Sequence, residues 1–63
     1  MKFKSIKINN IPNKTNRFVV ARTVDDELWY WGTWNKYDDA YSCAKEIDGV
    51  IIDRLNERIT YVD

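Results

Sequence analysis

RFVVARTVDDELWYWGTW, residues 17–34, is the stretch that decides the fold. Its first part, RFVVARTV, is rich in β-branched residues, and its second, ELWYWGTW, holds Trp29, Trp31 and Trp34 beside Tyr30. Both read as strands. Asp25 and Asp26 between them suit a two-residue hairpin turn. That turn sets Val24 opposite Glu27, Arg22 opposite Trp29 and Val20 opposite Trp31. Neighbouring side chains in a strand point to opposite faces. One face of the hairpin therefore carries Phe18, Val20, Arg22, Trp29 and Trp31, and the other Val19, Ala21, Leu28 and Tyr30. Both faces are apolar.

The rest of the chain supplies one helix. YDDAYSCAKEIDG, residues 37–49, repeats Ala40, Cys43, Ala44 and Ile47 at helical spacing. Asp38 reads as its N-cap, Asp39 favours the positive end of the helix dipole, and Gly49 suits the position just past the end. The small stripe lets the helix lie close on a sheet. FKSIKI (3–8) reads as a short edge strand guarded by lysines, and NNIPNKTN (9–16) as a loop. GVIIDRL (49–55) and RITYVD (58–63) add two more strands, with VII central because it has no charge. The predicted fold is α+β: one antiparallel sheet of four to five strands with one helix on one face, in the order β-β-β-α-β-β. Residues 1–63 are expected to form one domain.

One helix covers only one face of such a sheet. The other is left wet, covered by the 9–16 loop, or covered by another molecule. The bulkier face, with Phe18, Val20, Trp29 and Trp31, is expected under the helix. Trp29→Ala and Trp31→Ala would then cost about 3–5 kcal/mol each. Leu28, Tyr30 and Trp34 would be exposed, and they are the predicted partner-binding residues, because Tyr and Trp are enriched at binding hot spots. The alternative is that Tyr30 simply packs beside the N-terminal strand.

Composition argues against catalysis. There is no histidine to serve as a general base, and Cys43 is the only cysteine. Cys43 lies on the apolar stripe of the helix, where a buried, inert thiol is expected. Asp25–Asp26 and Asp38–Asp39 have simpler tasks at a turn and a helix start. Gly32 and Gly49 are the only glycines, so no phosphate-binding glycine loop can be built. The expectation is a non-enzymatic protein with no metal and no cofactor. The start, MKFKSIKINN, lacks the apolar run of a signal peptide, and no run is long enough for a membrane span. With its lone thiol the chain is expected in the cytoplasm.

The net charge of zero hides a split. Residues 1–24 carry six bases and no acid, while residues 25–63 carry ten acids against four bases. The plain reading is neutralisation between neighbouring strands. The functional alternative is a nucleic-acid-binding protein in which Lys2, Lys4, Lys7, Lys14 and Arg17 track a phosphate backbone. A third reading inverts it: Asp38, Asp39, Glu46, Asp48, Asp53 and Glu57 occupy the groove of a nucleic-acid-binding protein.

Through FVVARTVDDELWYWGTW and DDAYSCAKEIDGVII, about residues 17–52, the chain resembles small uncharacterised phage and prophage-type proteins of Gram-positive bacteria. That family favours Asp-Gly at the hairpin turn, and here Asp26 stands in place of the glycine. The resemblance implies a small binding protein that modulates or inhibits a host factor, and it carries over no functional residue. The reading that results is a protein–protein interaction module with an unknown protein partner, self-association into a homodimer being one form of it.

Overall fold

The computed structural model describes residues 7–62. They build a five-stranded sheet and one helix, an α+β arrangement: β1 (Ile8–Asn9), β2 (Phe18–Val24), β3 (Glu27–Trp34), α1 (Tyr37–Ile47), β4 (Val50–Asp53) and β5 (Arg58–Tyr61). The strands lie in the order β1-β3-β2-β4-β5. The sheet is mixed rather than purely antiparallel, because β1 runs parallel to β3. The chain leaves β1 on the far side of β3 and uses residues 10–17 to reach β2. A parallel neighbour requires such a crossover in place of a tight turn. Most of the expected 3–8 strand lies outside the described residues. The pairing that remains is Ile8 with Leu28 and Asn9 with Trp29.

The β2–β3 hairpin turns at Asp25 and Asp26, whose φ angles are 51° and 66°. Two consecutive positive φ values mark the turn type whose twist matches paired strands. Val24 faces Glu27 and Arg22 faces Trp29, as the two-residue turn predicts. Beyond Ala21 the register slips: Ala21 pairs with Tyr30, but Val20 pairs with Gly32. Trp31 is the extra residue of a β-bulge and does not face Val20.

Strands β3 and β4 both run antiparallel to β2, hence parallel to each other. Helix α1 makes the crossover between them above β2. It begins two residues earlier than an N-cap at Asp38 would set. Lys36 is the N-cap, still extended at φ −111°, and it offers no side-chain cap bond. Asp38 and Asp39 sit in the first turn, where their charge favours the helix dipole. At the other end Asp48, at φ 58°, takes the left-handed position expected of a terminal glycine. Gly49 is needed for a different reason. A Cβ there would lie 2.4 Å from the Ala21 carbonyl oxygen. The close approach is fixed by the Gly49 N–H, which donates to the Ala44 carbonyl at 2.8 Å.

The sheet buries apolar side chains on both faces. Under the helix, Ala40 and Ala44 lie on Phe18, Val20, Ile51 and Val62, ringed by Trp34, Tyr41, Cys43 and Ile47. The small alanines allow the close contact. On the opposite face Ile8, Val19, Ala21, Val50 and Ile52 form a second cluster, with Ile11, Leu28, Tyr30 and Ile59 packed against it. Ile11 belongs to the 9–16 loop, so that loop shares in covering the second face. β4 is buried at Val50, Ile51 and Ile52, as its uncharged run predicts for a central strand.

Candidate functional site

The bulge re-sorts the aromatic residues. Trp34 is half-buried against the helix-side cluster, and Leu28 and Tyr30 are half-buried against the second cluster. The residues expected under the helix are the open ones: Trp31 is 50% exposed and Trp29 is 39% exposed. Phe18 and Val20 do lie beneath the helix. Trp29 and Trp31 are not part of that cluster. The physical cause is steric. Gly32 stands opposite Val20, and the Trp34 ring lies over it, so a Cβ at Gly32 would meet that ring at 2.5 Å. One indole thus fills the space near the helix, and the other two are left towards the hairpin end.

That end forms one patch. Arg22 is directly across from Trp29, and Val24, also exposed, lies two positions along the same face. The Arg22 guanidinium sits 5.9 Å from the centre of the Trp31 ring, a cation–π arrangement that places Trp31 on Arg22's side. Asp25, Asp26 and Glu27 rim the patch, all exposed. Glu27 is tied down by Asn9, whose Nδ2 donates to Oε1 at 2.8 Å. The result is an aromatic centre with one cation and an acidic edge, carried on a hairpin anchored by its buried half.

Lys2 and Lys4 lie outside the described residues. Lys7 and Lys14 are exposed. Arg17 is committed to Asp53: Nε donates to Oδ1 at 3.0 Å and Nη2 to Oδ2 at 3.1 Å. That hydrogen-bonded partner raises the Arg17 pKa and, together with backbone N–H donors of Leu55 and Asn56, holds the Asp53 carboxyl below its usual range. β2 and β4 are neighbours, so this pair is one instance of base and acid neutralising across adjacent strands.

Cys43 is half-buried, and burial, with a smaller contribution from Glu46, pushes its thiol pKa up. It therefore stays protonated at neutral pH, which is unfavourable for a nucleophile. Among the described residues no group of three or more Cys, Asp or Glu side chains could hold a metal ion. No helix among them is long and apolar enough to cross a membrane. Compared with protein-family models, curated proteins and solved structures, the chain matches none.

Proposed function

We propose that this chain is a small non-enzymatic interaction module that docks a protein partner through Trp29, Trp31, Arg22 and Val24. The observation that carries the reading is the exposure of two adjacent tryptophans on a hairpin whose other half is core. Large apolar side chains left together on a small surface mark interaction sites, and Trp and Arg are the residue types that anchor them. The acidic rim at Asp25, Asp26 and Glu27 would orient a partner with a basic margin. The resemblance of residues 17–52 to phage-type proteins suggests a host factor as that partner, and the protonated lone thiol suits a reducing, cytoplasmic setting.

The test is affinity capture from a bacterial lysate, with and without nuclease, using the tagged wild type and a Trp29→Ala/Trp31→Ala double variant. The expected result is a protein that survives nuclease and is lost with the double variant, while circular dichroism shows both chains folded. Equal capture by the two would move the binding surface elsewhere. Capture that vanishes on nuclease digestion would replace the reading with nucleic-acid binding. Light scattering of each chain alone reports whether the partner is a second copy.

A further inference from the structure

The β5 edge of the sheet carries a surface separate from the hairpin. β5 ends the strand order, with β4 as its strand neighbour. One backbone bond fixes which way its polar groups point. The Arg54 N–H donates to the Arg17 carbonyl at 2.9 Å. These two residues continue the β2–β4 register, in which Phe18 faces Asp53 and Val19 faces Ile52. The backbone groups of successive residues in a strand point to alternate edges. Arg54, Ile52 and Val50 therefore bond towards β2, and Asp53 and Ile51 towards β5. Arg58 and Thr60 stand opposite Asp53 and Ile51 and complete those bonds. Ile59 and Tyr61 are left with N–H and C=O facing away from the sheet.

The side chains of the same two residues are apolar and lie on one face. Ile59 packs on the second core, and Tyr61, opposite Val50, shares its side of the sheet. Tyr61 is 73% exposed, more than any other large apolar side chain among the described residues. β5 has no proline and no bulge to spoil pairing, and its one charge, Arg58, stands at its start. We propose that β5 pairs antiparallel with β5 of a second copy about a two-fold axis through Thr60, joining the two sheets into one. The strand is self-complementary in that register. Ile59 stands opposite the partner's Tyr61, and Tyr61 opposite the partner's Ile59. Each pair exchanges its outward-facing N–H and C=O bonds in both directions. On the second-core face this makes aromatic–β-branched pairs, and on the helix face Thr60 meets the partner's Thr60. Both combinations stabilise cross-strand contact. Arg58 falls opposite the partner's Val62, so no like charges of β5 face each other. The neighbouring registers are poorer. Centring on Ile59 sets Tyr61 against Glu57, whose φ of 53° is not strand geometry. Centring on Tyr61 puts Ile59 past the end of the partner's β5. A second copy suits the edge in two further ways. The net charge of zero raises no overall repulsion between copies. A chain of 63 residues also has a small core, which self-association supplements.

The experiment is sedimentation velocity of the full chain from micromolar to millimolar concentration, with amide hydrogen exchange followed by NMR over the same range. The expected result is a monomer–dimer equilibrium. The Thr60 amide, bonded to β4, should be protected throughout, whereas those of Ile59 and Tyr61 should gain protection as the dimer forms. Tyr61→Pro removes an outward donor that the monomer does not need, and it should abolish the dimer. Should that variant not fold, Tyr61→Lys replaces it. Dimerisation should then weaken about tenfold, because the change acts on both sides of the axis. Trp29→Ala/Trp31→Ala should leave the dimer unchanged, which separates this edge from the partner-docking reading. The proposal is overturned by a chain that stays monomeric at millimolar concentration, or by a dimer without protection at Ile59 and Tyr61. Unchanged dimerisation in folded Tyr61→Lys also overturns it. A dimer lost with the double tryptophan variant would place the second copy on the hairpin instead. A monomeric chain whose lysate capture fails with Tyr61→Lys would give the edge to a different protein, and the self-pairing would be wrong.

Discussion

Asp26 and Asp48 each occupy the left-handed region, at φ 66° and 58°, where a side chain is strained and glycine is not. Replacing either by glycine should stabilise the fold by about 0.5–1 kcal/mol, seen as a higher urea midpoint. The gain at Asp48 includes the removal of an acid from the negative end of α1. Gly49→Ala should act in the other direction. Its Cβ would press on the Ala21 carbonyl oxygen, and the loss should be about 1–3 kcal/mol. These three residues show what single letters disclose. The Asp25–Asp26 turn was legible because a strand pattern stops on each side of it. The left-handed position at the end of α1 is expected of Gly49 and falls to Asp48 instead, because glycine is the usual left-handed residue and nothing in the sequence reveals the carbonyl that excludes a Cβ at Gly49.

At the scale of the element, one inserted residue redistributes a whole strand. LWYWGTW is apolar on both faces, so alternation gave no way to choose between a regular register and a slipped one. The available signal was Gly32, since a glycine inside a strand marks a bulge or a close approach, and here it marks both. Trp31→Ala should therefore cost at most about 1 kcal/mol, against the 3–5 kcal/mol expected of a buried tryptophan, whereas Trp34→Ala should cost more than Trp31→Ala. Thermal melts of the two variants check the order. The β4–β5 turn supplies a pH test. The folded-state pKa of Asp53 is depressed, so its contribution is present above the unfolded value near about 4 and is lost as pH falls through the folded value. Asp53→Asn should flatten the fall of the urea midpoint between neutral and acid pH relative to wild type. An identical acid limb in the two proteins would remove the Arg17–Asp53 pair as its cause.

The molecule as a whole is a sheet with a core on each side, and the two cores were unequally visible. The helix-side core was legible in the small-residue stripe of α1 and in Phe18 and Val20, but Trp34 takes the place expected of Trp29 and Trp31. The second core depends on Ile8, which falls in the expected edge strand, and on Ile11 of the 9–16 loop, while the parallel pairing of Ile8 with Leu28 has no local signature. Both cores should be equally unforgiving. Ile51→Ala and Ile52→Ala, which point to opposite sides of β4, should each cost about 2–5 kcal/mol. A much smaller loss for Ile52→Ala, read from denaturant melts, would mean that the second face is poorly sealed.

The division of the three indoles also determines how this protein looks in a fluorimeter. Two of them already meet water in the native state, so unfolding should move the emission maximum only modestly to longer wavelength. Iodide should quench much of the native intensity, and the part it spares belongs to Trp34. Occupation of the hairpin end by a partner would do the opposite, shifting emission to shorter wavelength and shielding it from iodide. The chain thus carries a built-in optical reporter that is weakly sensitive to its own folding and strongly sensitive to being bound.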